Sequence, residues 1–184
     1  MGPLRSYCPV PDAVIAAFGG LFVGLSSATV TDGWLLVASL ILGGTLWALA
    51  WVDWCHGILP DGLTLFLFLS GIGQACLFDP GGPGESLLGA AIGGGAFYVL
   101  AWGYRRWRRR EGLGMGDVKL LAGLGAWVSW DGLPLTILLA AASALLVVLL
   151  GSRGRIRDVD PVAFGPFLAL AGWGVWLWGC AWQR

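Results

Sequence analysis

Charge is scarce in this chain. Only 12% of its 184 residues are Asp, Glu, Lys or Arg, about half the share usual in soluble domains. Eleven basic and eleven acidic residues cancel, so no global field draws nucleic acid or another highly charged partner. Histidine occurs once, as His56, which leaves nothing for a zinc site of repeated histidines and makes histidine-based hydrolysis improbable. The four cysteines, Cys8, Cys55, Cys76 and Cys180, lie far apart with no C-x-x-C pair, so no disulfide, metal site or redox cofactor is expected of them. What the chain has instead is apolar surface: 57% AVILMFWYC, with 31 glycines besides. A globule of this size cannot hide that much from water, and its natural solvent is a bilayer.

A membrane span needs about 20 mainly apolar residues, and Gly or Asp-Gly punctuation marks the breaks. The expected architecture is therefore an all-α, polytopic membrane bundle forming one domain over residues 1–184, with spans near 12–30, 34–53, 63–78, 87–104, 118–130, 133–150 and 166–182. That makes seven, or six if the short fifth is not a separate span. It is divided from the sixth only by Asp131, Gly132, Leu133 and Pro134. The connections are too short to hold a soluble domain.

Short cytoplasmic loops collect Lys and Arg. Arg5 precedes the first span, Arg105, Arg106, Arg108, Arg109 and Arg110 follow the fourth, Lys119 opens the fifth, and Arg153, Arg155 and Arg157 follow the sixth. With the N-terminus in the cytoplasm, all ten fall on the cytoplasmic side and only Arg184 lies outside. Several of the twelve tryptophans, Trp34, Trp54, Trp102, Trp107, Trp130 and Trp182 among them, stand near span ends, as in an interfacial belt. The Arg105 to Arg110 run reads as a positive-inside stop.

The first span could pass for a signal peptide, but Asp12 and the further spans favour an uncleaved helix. Gly2 and Ser6 fit a myristoylation pattern, which Pro3 and the redundancy of an anchor on a polytopic chain argue against. The clusters Gly19-Gly20-x-x-x-Gly24 and Gly89-x-x-x-Gly93 are expected to mark close helix–helix approach.

In so apolar a chain, chemistry is to be sought in acids at span depth, where a carboxylate costs about 2.5–3.5 kcal/mol on insertion scales. Asp12, Asp32, Asp79, Glu85, Glu111, Asp131, Asp158 and Asp160 fall in loops or at helix ends, but Asp53 and Asp117 do not. Asp53 closes the second span among Trp51, Val52 and Trp54, and Asp117 opens the fifth after Gly114-Met115-Gly116. The topology sets both at the cytoplasmic level of the membrane. Two carboxyls on different helices at one depth can share a site, one holding a proton while the other takes one from water, as in an aspartic protease. Gly114 and Gly116 would clear the approach for a partner helix or an extended peptide. The plainer reading is a glycine-rich loop entering a helix whose macrodipole favours Asp117 near its start.

Three segments resemble the type IV prepilin peptidases. Asp53-Trp54-Cys55-His56-Gly57-Ile58-Leu59-Pro60-Asp61-Gly62-Leu63-Thr64 looks like that family's acid followed seven residues later by Pro-Asp and Leu-Thr. Gly114-Met115-Gly116-Asp117-Val118-Lys119-Leu120 resembles its G-x-G-D motif, and Phe164-Gly165-Pro166-Phe167 its entry to the last span. The resemblance implies a membrane aspartic endopeptidase without metal or cofactor. It would cut the basic leader from type IV prepilins or type II pseudopilins at the cytoplasmic face of the inner membrane. By motif position, Asp53 and Asp117 would be the catalytic pair, with Gly114, Gly116, Lys119, Pro60 and Asp61 as motif and substrate-site support. Besides this substrate, only membrane lipids are expected as partners, no nucleic acid; oligomeric state is not readable.

Longer members carry a cysteine-rich zinc domain between their first two spans, associated with N-methylation. Here about three residues are expected to join those spans and no cysteine pair occurs, so a peptidase without the methyltransferase module is expected. The remaining residues have plain readings as well. Lys119 stands two residues from Asp117, and side chains so spaced do not face each other on a helix, so it reads as an orientation anchor. Pro60 and Asp61 read as an element end and a cap, and His56 as a polar loop residue. The alternative function is a small transporter or ion-binding channel using two intramembrane acids, though no internal repeat supports it.

Overall fold

In the computed structural model, the described residues are Gly24, Ser26, Val30 and residues 33–78, 82–108, 114–151 and 164–182. Their regular elements are all helices: α1 (Gly33–His56), α2 (Asp61–Phe78), α3 (Pro83–Arg108), α4 (Met115–Gly151) and α5 (Gly165–Trp182). The expected first span apart from Gly24, Ser26 and Val30, residues 31–32 of its link to the second, and Arg5, Arg109, Arg110, Arg153, Arg155, Arg157 and Arg184 lie outside the described residues.

The helix ends follow from local chemistry. Gly57 closes α1 at φ 65°, in the left-handed region that glycine enters without cost, and its N–H donates to the Asp53 carbonyl at 2.8 Å. Three residues later Pro60 immediately precedes α2, its carbonyl accepting the Thr64 N–H at 3.1 Å, while the Thr64 hydroxyl donates to the Asp61 carbonyl at 3.0 Å. Pro83, whose ring presets a helical φ, opens α3 just after Gly82 at φ 67°.

α4 is not one straight rod. Ser129, at φ 58° and ψ −175°, interrupts it, and the chain doubles back there. Gly89 of α3 lies against Gly125 and Ser129, while Gly93, one turn on, lies against both Leu121 and Leu133. Residues before and after the break thus stand at one level. The expected division between 118–130 and 133–150 is present, but at Ser129 rather than at Asp131 to Pro134. Asp131, Gly132 and Pro134 all fit into the start of the returning helix.

The most extensive packing is α3 on α4, and it is a contact between small residues. A Cβ on Gly89 would strike the Gly125 carbonyl, and one on Gly94 would come 3.0 Å from the Ala122 methyl. The close approach expected of Gly89-x-x-x-Gly93 is realised here, where van der Waals contact rather than water exclusion must hold helices together. On its other sides α4 carries Leu67 of α2 against Gly123 and Leu124 against Gly172 of α5. Trp127 donates from Nε1 to the Leu67 carbonyl at 2.9 Å and meets Trp176 of α5 edge-on at 5.2 Å. Trp176 in turn donates to the Ser39 hydroxyl of α1 at 2.9 Å.

Leu42, Leu46, Leu49, Leu67, Leu120, Leu121, Leu124 and Leu168 are fully enclosed, while Leu87, Leu88, Ile92, Val99, Leu138, Leu145, Leu146 and Leu150 face outward. Apolar residues on both the inside and the outside identify a bundle dissolved in lipid. Among the described residues four helices are long and apolar enough to cross a membrane: Gly33–His56, Asp61–Phe78, Pro83–Trp107 and Met115–Leu150. The count of seven crossings is not established by them.

Candidate active site

Asp53 continues an inward stripe. Along α1 the buried positions include Leu42, Leu46, Leu49 and Asp53, spaced four, three and four residues apart, the period of one helix face. The fourth position holds a carboxyl where the pattern calls for a leucine. Asp117 does the same from the other direction, standing one turn before Leu121 and two before Leu124, both fully enclosed. The two acids are only 6% and 9% exposed, and the segment that follows Asp53 reaches the one that carries Asp117 through the packing of Leu59 on Gly116. Neither has a lysine or arginine as a salt-bridge partner among the described residues.

The motif around Asp117 is a turn wrapped by its neighbours. The Asp117 N–H donates to the Gly114 carbonyl at 3.1 Å, and its carboxyl lies back over Gly114, where a Cβ would sit 3.4 Å from Oδ2 in ordinary contact. Gly116 is more tightly constrained: a Cβ there would stand 2.6 Å from Leu59 Cδ1. Leu59, buried in the loop between α1 and α2, thereby clamps the Asp53 segment onto the Asp117 turn.

Asp53 is supported from farther away. Its Oδ2 accepts the backbone N–H of Gly165 at 3.1 Å, across 112 residues of sequence. Gly165 opens α5, and nothing in the local pattern around Asp53 signals it. The resembling Phe164-Gly165-Pro166-Phe167 segment was the only available pointer to that position.

The remaining residues singled out above fall at the rim. Asp61 and Lys119 form an ion pair at 2.5 Å, their side chains 78% and 46% exposed. Lys119 thereby ties the start of α4 to the start of α2. An exposed pair of this kind contributes about 0–1 kcal/mol. Pro60 is half-buried at the α2 start, and His56 is exposed in the last turn of α1. Among the described residues no group of three or more His, Cys, Asp or Glu side chains could hold a metal ion. A cavity of about 390 Å³ opens at the other end of the bundle, lined by Trp34, Gln74, Glu85, Asp131 and Trp178 among others, and none of the site residues reaches it.

Residues 40–149 match the Type IV leader peptidase family. The chain belongs to that family. Leader peptidase HopD of Escherichia coli is 48% identical over 122 residues, 65% of this chain and 79% of that protein. The prepilin leader peptidase/N-methyltransferase of Aeromonas salmonicida is 38% identical over 152 residues, 82% of this chain and 52% of its own length. That of Stutzerimonas stutzeri is 38% identical over 163 residues, 87% of this chain and 56% of its own. The chain thus spans about half the length of the two relatives that carry both names. No solved structure matches it. Membership in this family, with several helices apolar enough to cross a bilayer, makes the chain a multi-pass protein of the inner membrane.

Proposed function

We propose that this leader peptidase family member is an aspartic endopeptidase that removes the short basic leader from type IV prepilins or type II pseudopilins, with Asp53 and Asp117 as its catalytic pair. The observation that carries the proposal is that two buried carboxyls, from α1 and α4, lie at the same end of an apolar bundle, where Leu59, six residues after Asp53, packs on Gly116 beside Asp117.

In the mechanism, the pair shares a proton and holds a water molecule. The ionised carboxylate takes a proton from the water as its oxygen adds to the scissile carbonyl carbon. The protonated partner donates a hydrogen bond to the developing oxyanion. The tetrahedral intermediate then breaks its C–N bond, and a proton passes from the carboxyl pair to the leaving amine. Two acids acting in this way titrate as a unit, so neither role belongs permanently to one residue.

Several features fit a peptide substrate. Gly114 is exposed beside the Asp117 carboxyl and leaves room for an extended backbone to pass. The leader peptide is basic and its mature helix apolar, so the scissile bond lies near the boundary between water and lipid. The ends of α1, α4 and α5 that carry Asp53, Asp117 and Gly165 come together, and the distribution of Lys and Arg supports a cytoplasmic position for that end. The proposal is confined to hydrolysis and leaves methyl transfer aside.

Co-expression with a prepilin that carries its leader tests this reading. Wild type is expected to convert the substrate to the faster-migrating mature form. Asp53→Asn and Asp117→Asn, present in membranes at wild-type levels, are expected to leave it unprocessed. Processing by either variant at the wild-type rate would overturn the catalytic assignment.

A further inference from the structure

The first N–H groups of a helix have no acceptor within it. In α5 the Phe164 carbonyl takes the N–H groups of Phe167 and Leu168, at 3.1 and 3.2 Å. Pro166 has no N–H to offer, which leaves Gly165 as the donor at this point of the helix start. Its partner is Oδ2 of Asp53. A carboxylate there also faces the positive end of the α5 macrodipole.

The same position admits no side chain. A Cβ on Gly165 would lie 3.0 Å from Cγ and 3.4 Å from Cβ of Asp53, and would run into Oδ2 itself. What such a methyl group would displace is the end of a side chain rather than backbone. Asp53 can yield by rotating about its own torsions, so the helices need not move.

We propose that Gly165 is a positioning residue of the cleavage reaction. Its N–H fixes Oδ2 of Asp53, and its missing side chain lets the carboxyl occupy that place, which leaves Oδ1 to work on the water. The inference rests on the reading of Asp53 as catalytic. It separates two effects that a structural glycine would couple: the fold tolerates alanine at 165, and the chemistry does not. Misplacing a reacting group by about 1 Å costs on the order of a hundredfold in rate.

The test compares Gly165→Ala with Gly174→Ala, a substitution in the same helix where a Cβ meets nothing within 4 Å. With purified proteins in lipid vesicles and a prepilin substrate, Gly165→Ala is expected to lose about a hundredfold in kcat, with KM and the thermal unfolding midpoint close to wild type. Gly174→Ala is expected to match wild type in all three. Rescue cannot come from a larger side chain at 165, so serine there is expected to be no better than alanine.

A second measurement does not depend on turnover. Infrared spectra of protein labelled with ¹³C-aspartate, with Asp53→Asn used to locate the Asp53 band, are expected to show that band displaced in Gly165→Ala and unmoved in Gly174→Ala. Wild-type kcat in Gly165→Ala, a loss that only tracks the amount of folded protein, or an Asp53 band identical to wild type would each overturn the inference. If wild type cleaves no prepilin, the proposed function fails, and the infrared comparison still decides whether Gly165 holds the carboxyl.

Discussion

Asp117 sits in a turn made by its own neighbours, whereas Asp53 takes its partner from Gly165, 112 residues along the chain. Both side chains end an inward stripe of leucines, and both are buried. They differ in what holds them. Around Asp117 the glycines on the preceding turn let the carboxyl fold back and let Leu59 press in from the loop between α1 and α2. Around Asp53 the helix simply ends, Gly57 capping the backbone, and the carboxyl is left to be seated by α5. A carboxyl pair can therefore be assembled from one local and one distant support, and the two supports should fail in different ways.

The largest effect belongs to the carboxyls themselves. Asp53→Asn and Asp117→Asn are each expected to lower cleavage by about 10³-fold or more, as removal of an acid–base group does, without loss of protein from the membrane. Substitution at the distant support follows, through the Gly165→Ala defect described above.

Substitution at the local support gives a smaller loss of a different kind. Gly116→Ala forces a methyl group against Leu59, and overpacking of this sort costs about 1–3 kcal/mol. Thermal unfolding is expected to show it as a lowered midpoint, and Gly116→Ala combined with Leu59→Ala to recover part of it, because residues in contact are not additive. Strict additivity would remove Leu59 from the account. Gly114→Ala, where the new Cβ meets only ordinary contacts, is expected to keep the wild-type unfolding midpoint, so that any loss of cleavage there reports obstruction of the substrate rather than overpacking.

Much of this arrangement was legible from the chain alone. Asp53 and Asp117 stood out because charge is so scarce and both fall at span depth, while the inward face that each shares with Leu49 or Leu121 is seen in the structure. The Gly89 and Gly93 stripe announced a tight helix–helix contact, and the structure supplies α4 as its partner. The turn within α4 was placed a few residues late, at Asp131 to Pro134, because those residues are the usual punctuation. The structure turns at Ser129, whose left-handed φ no local signal reveals. The link from Gly165 to Asp53 and the Lys119 to Asp61 pair, 58 residues apart, are tertiary facts. Lys119 was expected to be an orientation anchor rather than a partner of Asp117, and the acid it meets, Asp61, was foreseen only as a capping or substrate-site residue.

The smallest effect belongs to that ion pair. Lys119→Ala is expected to shift stability by less than about 1 kcal/mol, since both groups are well exposed, and high salt should shift the wild type by a similar amount. A loss of several kcal/mol would move the pair from the rim to the structural centre of the site.

The most direct test is whether Asp53 and Asp117 act as one unit. Single-turnover cleavage of a prepilin by wild type, Asp53→Asn, Asp117→Asn and the double variant, each in lipid vesicles, measures it. Groups that work as a unit are far from additive, so the double variant is expected to be no slower than either single one. Losses that multiply in the double variant, or a single variant that still cleaves at the wild-type rate, would contradict the account.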